Sequence, residues 1–263
     1  MATRLGVLGW PVAHSRSPQI QNAALRAVGL DDWRYQLLPV PPELFEDTVR
    51  ALAQAGFRGA NVTIPHKEAA LKIAPEATPR ARAIGAANTL TFEGGAIEAD
   101  NTDAPALVDA LPVAPQGKTA FVLGAGGSAR AAVWALLDAG AREVWIWNRT
   151  TERAQTLATQ LGGTALTDVV PADLLVNCTS VGLDDPEATF QQLPLHADDL
   201  ARYECVVDLV YTPAETVLVR AARERGVRTV EGLELLVRQG ALSFERFTGH
   251  PAPVDVMRAA AAS

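Results

Sequence analysis

The sequence predicts an α/β protein of two domains, and three observations carry that reading. Apolar strand-like runs alternate with helix-period segments along most of the chain. The alternation breaks at a stretch bearing Pro112, Pro115 and Gly117, and it resumes at a glycine-rich strand-to-helix turn beginning at Gly124. The 263 residues, 48% hydrophobic and 20% charged, suffice for one or two real cores and argue against disorder.

In the first domain, residues 5–8 form a short apolar strand ending at Gly9. Ser17 and Pro18 then read as an N-cap and first helical position for a helix running to about Val28 and stopping at Gly29. A β-branched and aromatic run over 33–40 predicts a strand. Leu44, Phe45, Thr48, Val49 and Leu52 recur at helical spacing, and 60–64 reads as a strand closed by Pro65. This order predicts a mostly parallel sheet. Two further strands, 88–92 and 97–101, flank Gly94 and Gly95, and the hinge is expected over 112–117.

The second domain alternates more clearly. Strands are expected at 119–123, 143–147, 174–177, 206–210 and 228–230, and helices at 128–139, 151–161 and 215–225. The last helices, 233–247 and from Val254 onward, have no strand after them and are expected to pack back on the first domain. The division expected is 1–102 with 236–263, and 103–235.

Charge narrows the partners. With 23 basic and 30 acidic side chains the net charge is −7, which argues against nucleic acid or an anionic membrane as main partner. No stretch is long and apolar enough to span a bilayer, no apolar signal core follows Met1, and Cys178 and Cys205 suggest no metal spacing or disulfide framework. A cytoplasmic protein is the expectation. Four scattered histidines suggest no metal site.

Gly124-Ala-Gly-Gly-Ser-Ala129 follows a strand and opens a helix, the context a dinucleotide fingerprint needs. Gly124 allows the tight turn and Gly126 lets backbone approach a pyrophosphate. Ala129 packs the helix closely, while Ala125, Gly127 and Ser128 complete a loop whose amides face phosphate. This makes the second domain Rossmann-type and doubly wound. The next strand ends in Asn148, Arg149 and Thr150, with Arg153 one turn later, instead of an acidic residue. Guanidinium groups suit a ribose 2′-phosphate, so NADP is favoured over NAD.

Polar segments cluster where first-domain strands end: His14-Ser-Arg-Ser-Pro18, Asn61-Val-Thr-Ile-Pro-His-Lys67, Asn88-Thr89 and Asn101-Thr-Asp103. Singly, each has a plain structural role as cap, turn or helix start. Together with Gly9-Trp-Pro-Val-Ala13, Gly85-Ala-Ala87, Asn177-Cys-Thr-Ser-Val-Gly182, Asp208-Leu-Val-Tyr-Thr-Pro213 and Gly232-Leu-Glu-Leu-Leu-Val-Arg-Gln239, they closely resemble the shikimate dehydrogenase family nearly end to end.

The resemblance implies an N-terminal substrate domain, an NADP-binding domain, and reversible hydride transfer between NADPH and 3-dehydroshikimate to give shikimate, in aromatic amino-acid biosynthesis. It implies that Ser15 and Ser17 bind the substrate carboxylate. Thr63, Asn88 and Gln239 would meet its hydroxyls or carbonyl, and Tyr211 would line the site from the cofactor side. Lys67 and Asp103 match the catalytic pair. Gly124 to Ser128 match the phosphate loop, Asn148 to Arg153 the 2′-phosphate clamp, and Leu209 and Gly232 positions near the nicotinamide. One departure is Pro79, where the family often carries an acidic residue.

Hydride addition to a ketone leaves a developing alkoxide, which needs a proton donor and a fixed positive charge; Lys67 can supply both. The expected site is a cleft between the domains, gated by hinge closure. Two other readings stay open: a quinate/shikimate dehydrogenase using NAD or NADP, and a non-catalytic NADP-sensing regulator. One chain does not set the oligomeric state, and a homodimer stays open.

Overall fold

The computed structural model describes residues 2–212 and 214–263. Pro213, the last residue of the Asp208 motif, lies outside them. The chain divides into two compact units, Met1–Asp103 with Leu236–Ser263, and Ala104–Leu235. The first break therefore falls between Asp103 and Ala104, and the stretch expected as hinge, 112–117, lies inside the second unit.

The first unit runs β1 (Thr3–Gly9), α1 (Ser17–Ala27), β2 (Trp33–Pro39), α2 (Phe45–Gln54), β3 (Phe57–Val62), α3 (Lys67–Ile73), β4 (Glu76–Ala77), α4 (Pro79–Ile84), β5 (Thr89–Glu93) and β6 (Ala96–Asp100). Its six strands are ordered β2-β1-β3-β5-β6-β4. β1 pairs parallel with β2 and β3, but β5 runs antiparallel to both β3 and β6. With β4 parallel to β6, three of the five pairings are parallel, as expected, and β5 is the antiparallel strand. Between β5 and β6 the cause is local: Gly94 and Gly95, at φ 57° and 85°, close a two-residue turn, and a turn that short can only return the chain antiparallel. Phe45, Val49 and Leu52 of α2 pack with Leu8, Ala60, Val62, Leu90 and Phe92 from the sheet, which is why the helical spacing of those residues was informative.

The second unit contains most of α5 (Asp103–Ala110), then β7 (Thr119–Leu123), α6 (Gly127–Asp138), β8 (Glu143–Trp147), α7 (Thr151–Leu161), β9 (Thr164–Ala165), β10 (Leu174–Asn177), α8 (Thr189–Gln192), β11 (Cys205–Asp208), α9 (Val217–Glu224) and β12 (Arg228–Val230). All its strand pairings are parallel, in the order β9-β8-β7-β10-β11-β12, so the strand order reverses between β7 and β10. That is the doubly wound arrangement, whose ligands bind beyond the carboxyl ends at the reversal. Every residue of β7 and of β10 is buried, as central parallel strands covered on both faces require.

Two helices close the chain, α10 (Gly232–Thr248) and α11 (Val254–Ala262). From Leu236 onward they belong to the first unit, as expected of helices with no following strand. Phe244 and Phe247 of α10 are fully buried. A Cβ on Gly59 of β3 would stand 2.5 Å from the Phe247 ring, so glycine there lets helix and sheet approach. The α11 end is tied to the β1–α1 loop by Arg16 donating to the Ala261 carbonyl and by Gln19 Nε2 donating to Ser263 Oγ at 2.8 Å. Among the described residues no helix is long and apolar enough to cross a membrane.

Candidate active site

Within the first unit, the polar motifs end up at the carboxyl ends of β1, β3 and β6 and at the start of β5. Lys67 opens α3 directly after His66, whose ring is buried and stacked on Phe45 with centroids 4.3 Å apart. His66 Nε2 donates to the Val40 carbonyl at 2.7 Å, and burial holds its pKa below the usual imidazole value. A neutral, stacked imidazole thus anchors the turn that presents Lys67. Lys67 Nζ donates to Asp103 Oδ2 at 2.8 Å, with the two side chains 13% and 18% exposed.

Asp103 is set by its own short turn. Its amide donates to Asn101 Oδ1 at 3.1 Å, while Asn101 Nδ2 donates to the Ala86 carbonyl at 3.0 Å. Asn88 Nδ2 donates to Asp103 Oδ1 at 2.8 Å and lies 3.3 Å from Gln239 Oε1, and Gln239 Nε2 is held by the Leu236 carbonyl at 2.7 Å. Lys67, Asn88, Asp103 and Gln239 are therefore one hydrogen-bonded group. Both carboxylate oxygens are engaged, one by a cation and one by an amide, which fixes the ammonium and the carboxylate together.

Thr63 lies just after β3, its amide bonded to the Leu8 carbonyl at 2.9 Å. A Cβ on Gly9 would sit 2.5 Å from Thr63 Cγ2, so glycine brings the ends of β1 and β3 close. Ser15 and Ser17 are neighbours in the β1–α1 loop, where Ser15 Oγ accepts the Ser17 amide at 3.3 Å. The expected capping role of Ser17 is corrected: Arg16 holds the cap position with no side-chain capping bond, and Ser17 is the first helical residue. Pro79 opens α4 under a Thr78 cap, and neighbouring Arg80 forks onto Asp100 at 2.8 and 3.0 Å.

In the second unit, Gly124 adopts φ +111° and donates its amide to the Trp147 carbonyl at 2.7 Å. Its Cβ would press to 3.2 Å of the Cys178 backbone, so the turn requires glycine. Gly126 differs, because a Cβ there meets nothing within 4 Å. Protein packing does not explain that glycine, whereas a phosphate drawn onto the backbone would. Gly126 caps α6 without a side-chain bond, at the helix end where backbone amides favour an anion, and Ala129 is fully buried against the sheet. Loop and helix start fit a dinucleotide.

Asn148 Nδ2 donates to the Thr150 carbonyl at 2.9 Å, shaping the turn after β8. Arg149 and Arg153 are exposed around the first turn of α7, and among the described residues neither makes an ion pair. Leu209 follows β11, with its amide on the Asn177 carbonyl at 3.0 Å. Tyr211 and Gly232 line a groove with Val210, Thr212, Thr216 and Leu233. A Cβ on Gly232 would stand 2.5 Å from the Val210 carbonyl oxygen, so only glycine allows that approach. Asn177 is fully buried and spent internally, on Asp208 at 2.9 Å and on Thr179 at 2.7 and 3.1 Å.

A doubly wound parallel sheet with a glycine-turned anion loop, on a chain whose other unit carries a locked lysine–carboxylate pair, defines a dinucleotide-dependent dehydrogenase. Residues 7–90 match the model of the shikimate dehydrogenase substrate binding domain, residues 110–180 that of shikimate/quinate 5-dehydrogenase, and residues 232–262 that of the shikimate 5′-dehydrogenase C-terminal domain. The chain belongs to the shikimate dehydrogenase family. It is 47% identical to the shikimate dehydrogenase (NADP(+)) of Methylobacterium radiotolerans, over 94% of this chain and 91% of that one. The crystal structure of Thermus thermophilus shikimate 5-dehydrogenase in complex with NADP(H) and shikimate superposes with a TM-score of 0.89 at 41% identity, covering 98% of each chain. The ligand-free 5-ketofructose reductase of Gluconobacter sp. strain CHM43 shares the fold at TM-score 0.85 and 29% identity, covering 99% of this chain and 98% of that one.

Sequence reasoning left several participants without a role. Thr102 and Asn61 stood inside motifs, yet nothing local showed that they face Asn88. Ser243 had only its spacing four residues after Gln239, on the same helical face. Asp100, with Arg80 and Arg246, gave no signal, because that cluster forms only when β6, α4 and α10 come together.

Proposed function

We propose that this protein catalyses the reversible NADP-dependent reduction of 3-dehydroshikimate to shikimate in the cytoplasm, on the route to the aromatic amino acids. The single observation that carries the reading is the bonded group of Lys67, Asn88, Asp103 and Gln239, in the family's order and at hydrogen-bond distances. The first unit holds the substrate and the second holds NADP. Both cysteines are free thiols, which suits a reducing compartment.

Lys67 holds a fixed positive charge at the reacting oxygen and gives it a proton as alkoxide character develops. Asp103 keeps the ammonium in place and accepts from the neighbouring substrate hydroxyl. Asn88, Thr63 and Gln239 orient the ring through its hydroxyls and carbonyl, Ser15 and Ser17 take its carboxylate, and Tyr211 closes the site from the cofactor side. NADPH, when bound, supplies the hydride. The amides from Gly124 through Ser128 take its pyrophosphate, and Asn148, Arg149, Thr150 and Arg153 take the 2′-phosphate. Leu209 and Gly232 shape the nicotinamide end.

The test is initial-rate kinetics with shikimate and quinate, each with NADP and NAD. The expected result is the highest kcat/KM for shikimate with NADP. A higher value for quinate with NAD overturns the reading, and no turnover with any pair favours a cofactor-sensing protein.

A further inference from the structure

We propose that Ser243, a fully buried residue of α10, is a positioning residue that fixes the orientation of Asn88 and Gln239 through Thr102. The inference rests on the functional reading above, since it concerns how that site is held. Ser243 Oγ stands 2.8 Å from Asn61 Nδ2, 2.9 Å from Thr89 Oγ1 and 3.1 Å from Thr102 Oγ1, and it donates to the Gln239 carbonyl at 3.0 Å. One atom on a helix thus joins side chains from β3, β5 and the turn before α5.

Proton directions follow from groups that have no choice. Asn61 Nδ2 lies 3.2 Å from the Asn88 carbonyl, which can only accept, so it faces Ser243 as a donor while Asn61 Oδ1 accepts from Tyr35 Oη at 2.8 Å. The Thr102 amide can only donate, and its acceptor is Asn88 Oδ1 at 2.8 Å. That places Asn88 Nδ2 toward Asp103 Oδ1 and toward Thr102 Oγ1, at 2.8 and 2.9 Å. The Thr102 hydroxyl, accepting from Asn88 Nδ2, stands 3.1 Å from both Asn88 Oδ1 and Ser243 Oγ, and Ser243 gives its own proton to the Gln239 carbonyl. Asn61, Asn88, Thr89, Thr102 and Ser243 are all buried, where a lost partner is not replaced by bulk water. A polar side chain at position 243 therefore holds Thr102, whose amide and hydroxyl both meet the Asn88 amide group that supports the Asp103 carboxylate, and it holds the helix turn that carries Gln239.

The test combines Ser243→Ala, Ser243→Cys and Thr102→Val with the Ser243→Ala/Thr102→Val double variant, assayed in steady state well below each melting temperature. For Ser243→Ala we expect kcat with shikimate to fall about tenfold with KM for NADP within about twofold. The expected result for Ser243→Cys, which keeps the volume and a weak donor, is partial recovery. The double variant is expected to be no slower than the slower single one, because both changes cut the same chain. A lowered melting temperature with unchanged kcat and KM in Ser243→Ala overturns the proposal, as do fully additive losses. If Ser243→Ala does not fold, unchanged kinetics in Ser243→Cys and Thr102→Val overturn it. An inactive wild type overturns the functional reading and this inference with it, whereas an active wild type with indifferent variants overturns the inference alone.

Discussion

Lys67 and Asp103, 36 residues apart in the chain, meet at 2.8 Å with both side chains largely buried and with Asn88 on the second carboxylate oxygen. An ammonium held this way is oriented before substrate arrives. Lys67→Ala removes both the charge and the proton donor and is expected to lower kcat by about 10²- to 10⁴-fold. Asp103→Asn turns an amide nitrogen or a neutral oxygen toward the ammonium and is expected to cost a similar factor. Because the two act as a unit, the double variant should be little slower than Lys67→Ala. Independent, multiplying losses would show that the pair does not work together.

The cofactor loop makes a different prediction. A Cβ at Gly126 meets no protein atom within 4 Å, so Gly126→Ala should fold with an unchanged melting temperature. It should nonetheless raise the KM for NADP by about tenfold or more, because the methyl stands where backbone must approach phosphate. Gly124→Ala is the contrast: at φ +111°, beside the Cys178 backbone, it should lower the melting temperature itself. Thermal melts alongside kinetics separate the two.

Arg149 and Arg153 should set cofactor choice. Each is exposed without an ion pair among the described residues, so its removal costs little structure. Arg149→Ala and Arg153→Ala are each expected to raise KM for NADP by about tenfold while KM for NAD stays within about twofold. Equal changes for both cofactors would take the guanidinium groups away from the 2′-phosphate.

Much of this was legible in the sequence because it is local. The strands 119–123, 143–147, 174–177 and 228–230 and the helix 151–161 lie where their apolar patterns put them. The glycine turn also declares itself within six residues. What was hidden is what depends on three-dimensional return. β4 has two residues and no pattern, and α3 and α4 are too short to show a period. Ser243 meets Asn61 and Thr102, and Asp100 meets Arg246, only when distant segments return to one another, which no window of sequence displays.

Asp100 offers a stability test. It is buried at the end of β6, bidentate to Arg80, 3.2 Å from Arg246 Nη1, and accepts from Thr78 Oγ1 at 2.6 Å and from the Asn101 amide at 2.7 Å. Asp100→Asn leaves two guanidinium groups facing an amide. The expected loss is about 3 kcal/mol, toward the lower end for breaking a buried pair because both arginines reach partly into water. Urea denaturation measures it, and a change under about 1 kcal/mol would show that solvent replaces the carboxylate.

Asp208 gives a pH dependence of definite sign. It is almost fully buried at the end of β11, and burial pushes its pKa up to about 6 despite donors from Thr216 Oγ1 at 2.7 Å, Asn177 Nδ2 at 2.9 Å and the Val210 amide at 3.1 Å. Between the ordinary carboxylate pKa of about 4 and this raised value, the folded protein binds more protons than the unfolded chain. Stability from this residue is therefore highest below about pH 4 and is lost as pH rises to about 6, by roughly 3 kcal/mol in all. His66 runs the other way: held below its ordinary pKa, it favours the folded state at high pH and costs stability as pH falls through about 6.5. Asp208→Asn removes the first contribution and leaves the second, with the Thr216 hydroxyl free to accept where it donated. Denaturation curves from about pH 4 to about pH 8 should show the variant gaining on the wild type up to about pH 6 and holding a constant difference above it. A difference that does not change with pH would mean that the carboxylate ionises in the fold as it does in water.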